Sequence, residues 1–106
     1  MNDISNIAPG ILAVLREYFS KQPVLKAWVF GSVSRGEATS KSDIDIIVCF
    51  DPEAQVGIFQ HIAMSQELEY LLKKEVDLVT DGTLLPLIKE AADKDKILIY
   101  EREIAW

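Results

Sequence analysis

The strongest constraint on this chain is the way its hydrophobic period switches along the sequence. Ile11, Leu12, Leu15, Tyr18 and Phe19 recur at helical spacing after Pro9-Gly10, and Pro23 prevents continuation of that helix. Val24 to Phe30, "VLKAWVF", is rich in β-branched and aromatic residues and reads as a strand that stops at Gly31. Residues 32–42 are polar and read as a loop with room for one short helix opening at Ser32. Asp43 to Phe50 reads as a second strand, closed by Asp51-Pro52. Residues 54–74, Gly57 aside, predict a second helix with Phe59, Ile62, Leu68, Leu71 and Leu72 on its buried stripe. Val76 to Thr80 predicts a short third strand, closed by Asp81-Gly82. Thr83 can cap a third helix through Leu84, Leu87, Ile88 and Ala91, with Pro86 in its first turn, and Ile97 to Tyr100 predicts the last strand. This order excludes an all-α or all-β fold. It predicts an α/β (α+β) fold, a small mixed β-sheet packed by helices.

The length of 106 residues predicts a single domain, 1–106, with little room for a second substrate-binding domain. A formal net charge of −6 argues against free nucleic acid, whose phosphates call for a basic surface. It suits a basic protein partner or a site for divalent cations. The single cysteine, Cys49, cannot form an internal disulfide, so a cytoplasmic location is expected. Neither a secretory signal nor an apolar run of membrane-spanning length is visible, so no membrane partner is expected. His61 falls on the second helix, away from the chemistry, and reads as an ordinary boundary residue.

That chemistry lies in "GSVSRGEATSKSDIDIIV", residues 31–48. Side chains at i and i+2 of a strand share a face, about 6.6 Å apart along the chain. Asp43 and Asp45 therefore face one way, and Ile44, Ile46 and Val48 the other. Two partly buried like charges repel and raise a carboxyl pKa, and a divalent cation removes the conflict. Mg²⁺ suits such a pair, because it takes one or two protein carboxylates and completes its shell with water and phosphate oxygens. The bland alternative is the solvent face of an amphipathic strand. Gly31-Ser32 shifts the balance. A glycine at the end of a strand lets the backbone turn and expose N–H groups to an anion, and Ser32 adds a hydroxyl. Arg35 and Lys41 bring positive charge to the same loop. Arg35 reads equally well as a phosphate contact or a solvated arginine. A third acid would complete a two-ion site. Asp77 is the candidate, since an unpaired carboxylate between Val76 and Leu78 would be costly if buried. The bland reading of Asp77 is an outward residue on an edge strand. Asp81 competes with it, but its Asp-Gly context reads as a turn.

Gly31-Ser32, ten further residues and Asp43-Ile44-Asp45 together resemble the signature of the DNA polymerase β-like nucleotidyltransferase superfamily. Arg35-Gly36, Ala38 and Ser42 extend the match to the minimal nucleotidyltransferases. "EVDLV" around Asp77 resembles the strand that carries their third carboxylate, and "ILIYE" their final strand. Val33 and Ser34 depart from the pattern, which has an aromatic or basic residue and then Ala.

The resemblance implies the polymerase β-like palm fold and nucleotidyl transfer with ATP as substrate and two Mg²⁺ ions. It implies Asp43, Asp45 and Asp77 as catalytic and metal-binding residues, and Gly31, Ser32, Arg35 and Ser42 as nucleotide-binding residues. It further implies an antitoxin that adenylylates a tyrosine of a partner HEPN-type toxin within a hetero-oligomer. Two other functions compete. One is a nucleotide-binding antitoxin that masks its partner by contact alone. The other is a transferase acting on a small-molecule hydroxyl, for which a chain this short offers little acceptor pocket.

Overall fold

The structure, a computed structural model, describes residues 4–39, 43–81, 90 and 93–102. Helix α1 spans Pro9–Ser20 and strand β1 spans Val24–Phe30. A single helical turn, α2, follows at Gly31–Ser34, and strand β2 spans Ile44–Phe50. Helix α3 covers Ile58–Leu72, strand β3 Val76–Thr80 and strand β4 Ile97–Glu101. Short 3-10 turns occupy Ile4–Asn6 and Pro52–Ala54. Of the third helix expected from Thr83 to Ala91 only Glu90 is among the described residues, and it is helical; Lys41, Ser42 and Trp106 lie outside them.

The four described strands run in the order β3-β2-β1-β4. β1 is antiparallel to β2 and to β4, whereas β2 and β3 are parallel. The expected mixed sheet is therefore present. Parallel pairing of β2 with β3 needs a crossover between them, and α3 supplies it. One face of the sheet carries Val24, Ala27, Val29, Ile44, Ile46, Val48, Val76, Leu78, Ile97 and Ile99. These pack in one core with Leu15 and Phe19 of α1 and Met64 and Leu68 of α3. Both long helices thus cover the same face. The alternation of β2 and β3 turns Asp45 and Asp77 to the other.

Two readings of α3 need correction. The helix begins at Ile58 rather than at residue 54. Gln55 is left-handed (φ 52°), which no helix interior tolerates, and Gly57 supplies the extended N-cap. Its buried residues are Met64 and Leu68, while Phe59, Ile62 and Leu71 of the expected stripe are exposed. Large apolar residues occur around the whole helix, so its period alone does not identify the inward side. The last strand runs one residue past its expected end at Tyr100. Glu101 extends β4. Arg102 donates to the Asp51 carboxylate at 3.0 Å and to the Gln22 carbonyl at 3.1 Å.

Candidate functional site

The site is built by strand register. β1 ends at Phe30, which lies opposite Asp45 of β2, so the next residue, Gly31, turns directly beside that carboxylate. Gly31 takes a left-handed conformation, φ 73°. A Cβ at this position would sit 2.3 Å from Asp45 Oδ2, so only glycine allows the turn and the carboxylate to coexist. The sequence explained this glycine by the approach of a phosphate. The structure supplies a nearer cause in Asp45 itself.

On the other side of β2, Asp45 is in register with Asp77 of parallel β3. Neighbouring strands lie about 4.8 Å apart, so the two carboxylates are adjacent on the face opposite α1 and α3. Asp43 precedes the first residue of β2 and is exposed, whereas Asp45 is half-buried. The Asp45 carboxyl titrates above its ordinary range. Burial is the largest cause, repulsion from Asp77 and then Asp43 adds to it, and Arg35 opposes it. Asp45 thus feels both other acids, Asp77 across the strand register and Asp43 two residues before it.

Asp77 is exposed and lies on an edge strand of the described sheet. The expected burial penalty therefore does not single it out; its register with Asp45 does. Among the described residues, no group of three or more His, Cys, Asp or Glu is gathered closely enough to hold a metal ion. The arrangement offers a cation a carboxylate pair to be completed by water and phosphate oxygens, which is how Mg²⁺ is commonly held.

The loop after Gly31 closes as one helical turn. The Arg35 N–H donates to the Gly31 carbonyl at 3.2 Å, and the Glu37 N–H to the Ser32 carbonyl at 2.9 Å. Ser32 is half-buried in the first positions of this turn, where backbone N–H groups have no intrahelical acceptor and can receive an anion. Arg35 is exposed. Its Nε donates to Glu37 at 3.0 Å and its Nη1 to Asp95 at 2.5 Å. Arg35 is therefore a loop arginine paired to carboxylates, close enough to Asp45 to act on its titration. Its partners Glu37 and Asp95 were missed in the sequence, and Asp95 could not have been found there, being sixty residues away.

His61 is remote from this cluster, donating from Nε2 to the Leu78 carbonyl at 2.6 Å beyond Asp77 on β3. Cys49 is half-buried and free. Among the described residues, no helix is long and apolar enough to cross a membrane.

A strand-end glycine turn set against paired aspartates, on the sheet face opposite α1 and α3, is the candidate site, and comparison with known proteins gives the family. The family described as polymerase beta, nucleotidyltransferase, matches residues 14–105. The chain belongs to this family and is a minimal nucleotidyltransferase. A Methanocaldococcus jannaschii relative, provisionally named a protein adenylyltransferase, is 35% identical over 100 residues, covering 93% of this chain and 97% of its own. The protein adenylyltransferase MntA of Thermococcus cleftensis is 38% identical over 84 residues, covering 79% and 80%. Among solved structures, a toxin–antitoxin with AMP-PNP superposes with a TM-score of 0.73 at 18% identity, over 91% of this chain and 76% of the other. The MNT antitoxin complex with a tri-AMPylated HEPN toxin from Shewanella oneidensis gives a TM-score of 0.63 at 17% identity, over 88% and 71%. At these identities the two structures establish the fold alone.

Proposed function

We infer that this nucleotidyltransferase is a Mg²⁺-dependent protein adenylyltransferase that moves AMP from ATP to a hydroxyl, tyrosine by first choice, of a HEPN-type toxin and so acts as its antitoxin. The observation that carries this reading is the register of Asp45 with Asp77 beside the Gly31 turn. It joins an anion-receiving backbone to paired acids. The names of the relatives supply the protein acceptor and the toxin. The net charge of −6 suits a basic partner.

Asp43 and Asp45 would hold Mg²⁺, which supplies counter-charge to the triphosphate; Asp77 would help with a second ion. The N–H groups and hydroxyl of Gly31-Ser32 would receive the phosphates, with Arg35 beside them, and the family resemblance adds Ser42 as a nucleotide contact. Bringing Arg35 to phosphate means exchanging at least one of its carboxylate partners. The acceptor oxygen bonds to the α-phosphorus as the bond to the pyrophosphate oxygen breaks. Asp77, exposed on the same sheet face as Asp45, orients the acceptor hydroxyl and takes up its proton. Catalysis in this scheme is mainly positioning and charge neutralisation.

One observation favours a second reading, masking by contact. Ile58, Phe59, Ile62, Tyr70 and Leu71 are exposed on α3, more apolar surface than a helix in water ordinarily leaves open. Asp77→Asn separates the two. At substoichiometric ratio with ATP and Mg²⁺, wild type should silence the toxin's ribonuclease many times over. The variant should bind the toxin yet fail to silence it, losing several kcal/mol of transition-state stabilisation. Full silencing by the variant at low ratio would overturn the catalytic reading.

A further inference from the structure

We propose that Asn6 and Ser34 are positioning residues that brace the Gly31–Gly36 turn, so that the N-terminal segment sets the affinity for the triphosphate. The proposal rests on the assignment of that turn to nucleotide phosphates. The sequence marks Ser34 only as a departure from the family pattern, which has Ala there, and nothing marks Asn6.

The argument begins with the size of α2. Four residues make one turn, and a single helical turn is unfavourable alone because it fixes several dihedral angles for one hydrogen bond. Something outside the turn must hold it. Ser34 is fully buried, an unusual place for a hydroxyl unless it is bonded. Its Oγ donates to the Gly31 carbonyl at 2.7 Å, the same oxygen that receives the Arg35 N–H. Alanine would fill the pocket but leave that tie unmade. The Ser34 carbonyl in turn accepts from Asn6 Nδ2 at 2.8 Å.

Asn6 also meets the far end of the loop. Gly36 is left-handed, φ 74°, and a Cβ there would lie 3.2 Å from Asn6 Oδ1. One carboxamide therefore donates to Ser34 and occupies the space a side chain on Gly36 would crowd. The next residue, Ile7, is buried in the core and anchors it. The chain of contacts runs from core to Asn6, to Ser34, to the Gly31 carbonyl, and from Gly31 to the Asp45 carboxylate. Fixing the Gly31 peptide fixes where the N–H groups of the turn point. A loop already ordered costs less ordering free energy when the triphosphate arrives.

The test uses the full chain as Asn6→Ala, Asn6→Asp and Ser34→Ala. Asn6→Asp preserves shape but removes the donor, and so separates the hydrogen bond from packing. Titration calorimetry measures ATP–Mg²⁺ binding, and amide hydrogen exchange is followed at residues 33–36 and, as control, within β1 and β2. Each variant should bind ATP–Mg²⁺ about tenfold more weakly, the worth of one hydrogen bond. Exchange should accelerate at residues 33–36 and remain unchanged in the strands. Wild-type affinity in the Asn6 variants, when wild type itself binds, would overturn the brace, even with a lowered melting temperature. If wild type binds no ATP–Mg²⁺, the nucleotide assignment and the affinity role both fall. The exchange data then decide the mechanical tie alone, and unchanged rates at 33–36 overturn that as well.

Discussion

Replacing Gly31 by alanine should disable this protein through Asp45 rather than through the phosphate. The added Cβ would lie 2.3 Å from Asp45 Oδ2, against roughly 3.5 Å for comfortable contact between heavy atoms. The carboxylate must therefore retreat by about 1 Å. The left-handed backbone at φ 73° adds about 1–2 kcal/mol for any residue with a Cβ. Crowding of this kind adds a further 1–3 kcal/mol or so. The total, about 2–5 kcal/mol, is measurable by urea denaturation of the metal-free protein. A 1 Å displacement of a group that positions the reacting phosphate should also lower kcat/KM by about 10². A double-mutant cycle isolates the contact. With Asp45→Ala the space opens, and Gly31→Ala should cost only its backbone share of about 1–2 kcal/mol. With Asp45→Asn, equal in size to Asp, the full cost should remain. An equal cost in all three backgrounds would refute the collision, and turnover retained in Gly31→Ala would refute its consequence for catalysis.

Other predictions concern charge, core and surface. Because the folded state holds the Asp45 carboxyl above its usual value of 3.8, folding favours the protonated form. Stability of the metal-free protein should therefore fall as pH rises from that value through the raised one. Asp45→Asn should flatten this dependence and be the more stable protein at pH 7, as denaturation at several pH values will register. Added Mg²⁺ should raise the melting temperature of wild type at pH 7 and leave that of Asp45→Asn nearly unmoved, since only a cation-binding folded state is stabilised by mass action. Leu68→Ala, at a fully buried position, should cost about 2–5 kcal/mol in denaturation. Phe59→Ser, at 85% exposure, should stay within about 0.5 kcal/mol. A large loss at Phe59 would place α3 the other way round.

How much of this was legible in the sequence depends on the range of the interaction that decides each feature. β1 and β3 have the bounds the sequence predicts, Val24–Phe30 and Val76–Thr80, because apolar β-branched runs bounded by turn residues are local signals. Of the Asp43/Asp45 pair, the place of Asp45 on the face opposite Ile44 and Ile46 was legible for the same reason, whereas Asp43 falls just before the strand. α3 was misjudged where its evidence was ambiguous. Ile58, Phe59, Ile62, Met64, Leu68, Tyr70 and Leu71 cover too much of its circumference for periodicity to choose a face, and the sheet buries only Met64 and Leu68. The rest of the site is non-local. Asp77 matters because β3 pairs parallel with β2 in a register that places it on Asp45, and hydrophobic runs do not encode strand order. Gly31 is restricted by a carboxylate fourteen positions away, and Ser34 is tied through its carbonyl to Asn6, twenty-eight away. The sequence therefore exposes residues whose chemistry is bound to a local pattern. It conceals those that act by holding another residue in place, because their partners are chosen only when the sheet assembles.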